Sequence, residues 1–169
     1  SIRWVDGDVN EHSSMLVNAS CYSDVQISIA EKIDRYKRKV EESLIASAGL
    51  SDEIASKNSV FYRELKKLWE EEYSQDIVHM DWPKLKNVIH NVSSKIVVAV
   101  VNKVPGVSER LNYEKYPDGR LVIAVGGYSL SRGLTLKGLI CSYYLRTSRM
   151  YDTILQMGRW FGYRDGYEN

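Results

Sequence analysis

The chain predicts an α/β fold, an open and mostly parallel sheet flanked by helices. Three segments carry that expectation: Ile96-Val-Val-Ala-Val-Val101, Leu121-Val-Ile-Ala-Val125 and Leu139-Ile-Cys-Ser-Tyr-Tyr-Leu145. Each is an apolar run without alternation, the pattern of a strand covered on both faces in a parallel sheet. Helical patterns precede and follow these runs, and strands alternating with helices define the α/β class.

Residues 1–13 read as an extended lead-in, and Met15–Ala19 as a short buried first strand. A helix then starts where Ser23 and Gln26 have capping-box spacing and Tyr22 is placed to staple to Ile27. Val25, Ile29, Ile33, Tyr36, Val40 and Leu44 recur at steps of four and three, one apolar face ending near Gly49. The basic run Arg35 to Lys39, with Glu41 and Glu42 beside it, reads as a solvated helix face. A helical segment over about 50–93 separates the first two strands. It opens on a polar connection, 50–58. A helix over Val60 to Tyr73 follows, with Phe61, Leu65, Leu68 and Trp69 on one side. The next helix starts at the cap Asp81, with Pro83 in its first turn and Leu85, Val88, Ile89 and Val92 as its buried stripe. Turn signals at Pro105-Gly106 and Pro117-Asp118-Gly119 lie between the second and third strands. A last helix is expected over Arg149 to Phe161.

The composition fits one domain, 1–169: 169 residues, 44% hydrophobic and 27% charged, enough to bury a core without staples. It excludes disorder and collagen-like sequence. The longest apolar run is the six residues Ile96 to Val101, far short of the ~20 a spanning helix needs, so no membrane partner is expected. The chain begins at Ser1 without a Met, as a piece of a larger multidomain protein does. Cys21 and Cys141 are too few for a disulfide framework. Read as reduced, buried thiols, they favour a cytoplasmic protein. No Cys/His cluster has metal-ligand spacing, so no metal is expected. Charge is uneven: residues 120–169 hold seven basic side chains and three acidic ones. Six of the seven are Arg, whose rigid donor fork suits phosphate recognition.

Chemistry concentrates in two places. Gly126-Gly-Tyr-Ser-Leu-Ser-Arg-Gly-Leu-Thr135 directly follows a buried strand, and open α/β sheets bind ligands beyond the carboxyl ends of their strands. Two glycines permit a sharp bend and a close approach. The loop amides with Ser129, Ser131 and Arg132 suit an anion; a tight structural loop with an ordinary ion pair fits the same spacing. On the last helix, Met150, Ile154, Met157 and Phe161 form an apolar face. Asp152, Gln156, Arg159 and Tyr163 lie along another. Gly158 inside that helix costs about 1 kcal/mol relative to Ala, which implies close packing against the backbone. Taken alone, the segment also reads as a surface helix.

Together the two segments resemble the second RecA-like domain of superfamily two helicases. Gly126 to Thr135 is similar to motif V, Ala-Thr-Asp-x-x-x-Arg-Gly-x-Asp. Gln156-Met-Gly-Arg-Trp-Phe-Gly-Tyr-Arg164 is similar to motif VI, Gln-x-x-Gly-Arg-x-x-Arg. A denser resemblance, over Gly126 to Arg164, is to the Z-one (Z1) domain, a family that carries an endonuclease label. Its signature is Gly-Gly-x-x-Leu-Ser-Arg-Gly-Leu-Thr-Leu-x-Gly-Leu, then Ser-Tyr, Tyr-Asp-Thr and Gln-Met-Gly-Arg-Trp-Phe-Gly-Tyr-Arg. The resemblance implies a three-layer RecA-like (P-loop NTPase-like) sheet. It also implies a setting in bacterial restriction and phage defence, beside a helicase-like ATPase that acts on DNA.

What the resemblance carries over is a shared ATP site. Arg159 would act as the finger on the γ-phosphate, Arg164 as a second arginine, and Gln156 as a group that orients the attacking water or links the nucleotide to the neighbouring motif. Gly126, Gly127, Gly133, Thr135 and Gly158 would face the nucleotide, and Ser129, Ser131 and Arg132 would couple it to nucleic acid. The implied partners are the first RecA-like ATPase domain, which would hold most of the Mg²⁺ site, and DNA. Three departures stand out. Only Met157 separates Gln156 from Gly158, the two arginines are five apart where three is usual, and Thr135 replaces an acidic residue. No G-x-x-x-x-G-K-[ST] loop is present. Asp52-Glu53-Ile54-Ala55 has DE-box letters but no preceding buried strand, and is read as chance. The chain alone is therefore expected not to hydrolyse ATP. A nuclease, or a binding module that has lost motor activity, are the competing functions.

Overall fold

A computed structural model describes residues 10–75, 80–101, 111, 113–127 and 136–145. Four strands, β1 (Ser13–Asn18), β2 (Ile96–Val101), β3 (Leu121–Gly126) and β4 (Leu139–Tyr144), form one sheet in the order β2-β3-β1-β4. All three pairings are parallel. The helices are α1 (Ser23–Ser47), α2 (Asp52–Asn58), α3 (Val60–Leu68) and α4 (Trp82–Ser94), and a wide π turn, Trp69–Tyr73, extends α3. The protein is thus α/β, with an all-parallel sheet flanked by helices, an arrangement consistent with a RecA-like open sheet. The last helix expected from sequence lies outside the described residues.

The chain divides into two compact units, one holding Asp34–Lys95 and the other Asn10–Ile33 with the strands from Ile96 onward. In the sheet unit, neighbouring parallel residues share a face, so register decides the core. Leu16, Ala99, Val101, Val122 and Ala124 fill one face with Leu111, Tyr113 and Leu136. Val17 and Val125 fill the other, covered by Ala30, Ile29 and Ile33 of α1. In the helical unit, Leu44, Ala55, Tyr62, Trp69, Met80, Trp82 and Leu85 make a separate core. Ser59 caps α3 by accepting from the Tyr62 amide at 2.9 Å. Asp81 caps α4 by accepting from the Lys84 amide at 3.0 Å, with Pro83 in the first turn as the sequence predicts.

Several expectations are corrected. The polar connection 50–58 contains helix α2, whose Ala55 is fully buried. The second helical segment buries Tyr62, while Leu68 is exposed. The inward stripe of α1 begins with Gln26 and Ala30, and Val25 and Tyr36 are exposed. The capping box does not form: Gln26 Nε2 donates to the Ser20 carbonyl at 2.9 Å, and the staple pair Tyr22 and Ile27 is exposed. β4 is not covered on both faces. Among the described residues it is an edge strand, with a register shift opposite Ser14/Met15, and Ile140 and Tyr143 are exposed. Both cysteines, expected to be buried, are free and exposed. Cys21 lies in the β1–α1 turn and Cys141 on that edge strand.

Candidate functional site

The carboxyl ends of the strands meet in register. Asn18 closes β1 and pairs with Gly126 on β3 and Tyr144 on β4, while Val101 of β2 also pairs with Gly126. Asn18 is completely buried, and its carbonyl accepts from the Leu145 amide at 3.0 Å. The two glycines that open the motif loop therefore sit at the carboxyl end of the parallel sheet, at the end of β3 and beside β1. This is where such sheets place ligands.

The reason for the second glycine is local. A Cβ on Gly127 would run into the Ser20 carbonyl oxygen and would lie 2.7 Å from Gln26 Nε2 and 3.3 Å from Cys21 Cα. The β3 end is thus packed onto the turn that leads from β1 into α1. Gln26 fastens that turn: its amide side chain donates to Ser20, and its backbone N–H donates to the Tyr22 carbonyl at 3.1 Å. The Ser20 hydroxyl accepts from the Tyr22 amide at 3.1 Å. Gln26 is 3% exposed, and its Oε1 is buried without a hydrogen-bond partner among the described residues. The first turn of α1 opens at this same rim, so its N–H groups and positive dipole end lie there too.

Of the residues singled out from sequence, Gly126 and Gly127 stand at this rim. Gly133, Thr135, Gly158, Ser129, Ser131, Arg132, Gln156, Arg159 and Arg164 lie outside the described residues. Asn18, Ser20 and Gln26 were not anticipated as rim residues. Gln26 did carry a signal, its place three residues after Ser23, but that signal also fits an ordinary cap. The described part of the rim offers hydroxyl, amide and backbone groups together with the Asp24 carboxylate in the first turn of α1, and holds no Lys or Arg side chain.

A second polar cluster lies in the helical unit. The Asp52 carboxylate accepts from the Tyr62 hydroxyl at 2.7 Å and from the Lys66 and Lys86 ammonium groups at 3.1 Å each. Lys86 also donates to the Leu50 carbonyl at 2.6 Å. The Tyr62 hydrogen bond, with the two lysines and against partial burial, holds the Asp52 pKa at about 2. Burial, then the neighbouring Asp52, pushes the Tyr62 phenol up. All of these donors converge on one carboxylate, so Asp52 ties α2 to α3 and α4 and is not an open DE-box. Among the described residues no group of three or more His, Cys, Asp or Glu side chains is placed to hold a metal ion. No described helix is long and apolar enough to cross a membrane.

The fold and this rim define an α/β domain with an open parallel sheet and a glycine turn at its carboxyl end. The chain belongs to the Z1 domain family, whose model matches residues 1–169. No curated protein and no solved structure matches it.

Proposed function

We propose that this chain is the second motor half of a superfamily two helicase-like ATPase that acts on DNA in a bacterial restriction or phage-defence system. In this reading it completes the ATP site of a first RecA-like domain and couples that site to nucleic acid. The observation that supports the reading best is the position of Gly126-Gly127. The motif V-like loop leaves β3 at the carboxyl rim, beside the end of β1 and the start of α1, where a nucleotide cleft between two such domains would open. The order of the segments adds to this, with a motif VI-like Gln156-Met-Gly-Arg159 following β4 in sequence. ATP supplies the transferable phosphoryl group. On the chain's side, Arg159 neutralises its developing charge, Gln156 and Arg164 position groups around it, and Gly133, Thr135 and Gly158 allow close approach. Ser129, Ser131 and Arg132 touch the nucleic-acid backbone.

The test is DNA-stimulated ATP hydrolysis by the intact protein, wild type against Arg159→Ala. A finger arginine is worth roughly 10³–10⁵ in rate, so a loss of at least about a hundredfold is expected with DNA binding retained. An unchanged rate removes the finger assignment. DNA cleavage that proceeds without ATP and survives the substitution would replace the motor reading with the nuclease one. DNA affinity with no response to nucleotide would replace it with the binding module.

A further inference from the structure

The amino ends of the strands carry a second constellation that the motor reading does not use. Three adjacent parallel strands each have a nitrogen-bearing side chain just ahead of them: Arg120 immediately before β3, His12 immediately before β1 and Lys137 two residues before β4. The sheet order β3-β1-β4 places His12 on the middle strand. The backbone holds the three segments together, since the Ser13 amide donates to the Arg120 carbonyl at 2.9 Å and the Ser14 amide to the Gly138 carbonyl at 2.7 Å. The Ser14 hydroxyl donates to the Lys137 carbonyl at 2.8 Å and lies 2.8 Å from the Tyr113 hydroxyl.

Arg120 is the unusual member. It is 9% exposed, and its guanidinium lies over the Tyr116 ring, 4.2 Å from the centroid. Its Nε and Nη1 are buried with no hydrogen-bond partner among the described residues. A tyrosine face offsets part of the charge but takes none of the in-plane N–H bonds. A buried cation with unused donors is costly unless an anion meets it. His12 packs edge-on against Tyr113 at 4.8 Å, and its Nδ1 is likewise buried and unpaired among the described residues. Desolvation, then the Lys137 charge, and more weakly that of Arg120, holds the His12 imidazole below its ordinary pKa, with Glu11 opposing. Among the described residues Glu11 is the carboxylate whose charge acts on His12.

We propose that Arg120, Lys137 and His12 form a binding site for a phosphate group at the amino-terminal rim of the sheet, the end away from Gly127. A guanidinium, an exposed ammonium and an imidazole are carried at the amino ends of three neighbouring strands, so donors on three sides are available to the several oxygens of a phosphate. The phosphate is either inorganic phosphate or the terminal group of a nucleoside monophosphate.

The experiment is calorimetric titration of the intact protein at low ionic strength with inorganic phosphate and, separately, with a nucleoside 5′-monophosphate. Wild type is compared with Lys137→Gln, Arg120→Gln and Arg159→Ala. Saturable one-site binding is expected, weakened at least about tenfold by Lys137→Gln and unchanged by Arg159→Ala. Lys137 is exposed, so its substitution keeps the test valid even where Arg120→Gln impairs folding. Tighter binding of the monophosphate assigns the site to a nucleotide, and equal binding assigns it to free phosphate. Absence of saturable binding overturns the proposal. So does binding that Lys137→Gln leaves intact, or that disappears in Arg159→Ala, because the phosphate then sits elsewhere.

Discussion

The Tyr62 hydroxyl donates to the Asp52 carboxylate at 2.7 Å and at the same time accepts from Trp82 Nε1 at 3.0 Å. One phenol thereby joins α2, α3 and α4, and it is 2% exposed. Tyr62→Phe keeps the ring and removes the relay, leaving the buried Trp82 N–H without its partner. Unfolding in urea should show a loss of about 1–3 kcal/mol. A loss below about half a kcal/mol would mean that the relay contributes little.

Acid should act through the same group. An unfolded Asp titrates near 3.8, and Asp52 in the fold titrates at about 2. Between those values the unfolded chain holds more protons, so stability rises with pH there. The contribution is complete above the unfolded value and disappears as pH falls through the folded one. Urea midpoints of the wild type should drop between pH 4 and pH 2, and Asp52→Asn should flatten that limb. The Asp52 side chain is 37% exposed, so added salt should shrink the difference. Parallel acid limbs for the two proteins would show that another carboxylate governs the transition.

What could be read from the chain followed the strength of the local signal. β2 and β3 are apolar runs rich in β-branched residues, and α4 carries both a cap and an N-terminal proline, so these elements fall where the residues place them. α2 has seven residues and one buried side chain, Ala55, too little to register as a period. The face of α1 was misjudged because its first inward positions are Gln26 and Ala30, a polar and a small residue, while Val25 beside them is exposed. The apolar run of β4 suggested coverage that depends on strand order, which pattern cannot supply. At the site, Gly126 and Gly127 were legible as a bend beyond a strand. Their neighbours Ser20 and Gln26 come from a distant stretch of chain, and only the pairing of β1 with β3 brings them in.

Both thiols are exposed, one in a turn and one on a strand. Cys21 in the β1–α1 turn and Cys141 on β4 are both free and accessible. A thiol reagent should modify both in the folded protein, and denaturant should add no further reacting thiol. Labelling of only one, or of neither, before unfolding would contradict the exposure of the edge strand or of the turn.

The tight seat of Gly127 gives the sharpest test of the rim. An added methyl meets the Ser20 carbonyl, which is backbone held between β1 and α1, and Gln26 Nε2 at 2.7 Å. The amide can swing aside at the loss of its bond to Ser20, but the carbonyl can move only if the turn moves. Gly127→Ala should therefore destabilise the fold by about 1–3 kcal/mol, the usual penalty for overpacking. Gln26→Ala in the same chain should recover only part of that loss. In the motor reading, the displaced loop should also lower DNA-stimulated ATP hydrolysis at temperatures where the variant remains folded. A Gly127→Ala protein with the wild-type urea midpoint would show that the turn yields freely and that β3 is not anchored against Ser20. Full recovery by Gln26→Ala would instead assign the whole obstruction to the side chain, leaving the carbonyl without a role.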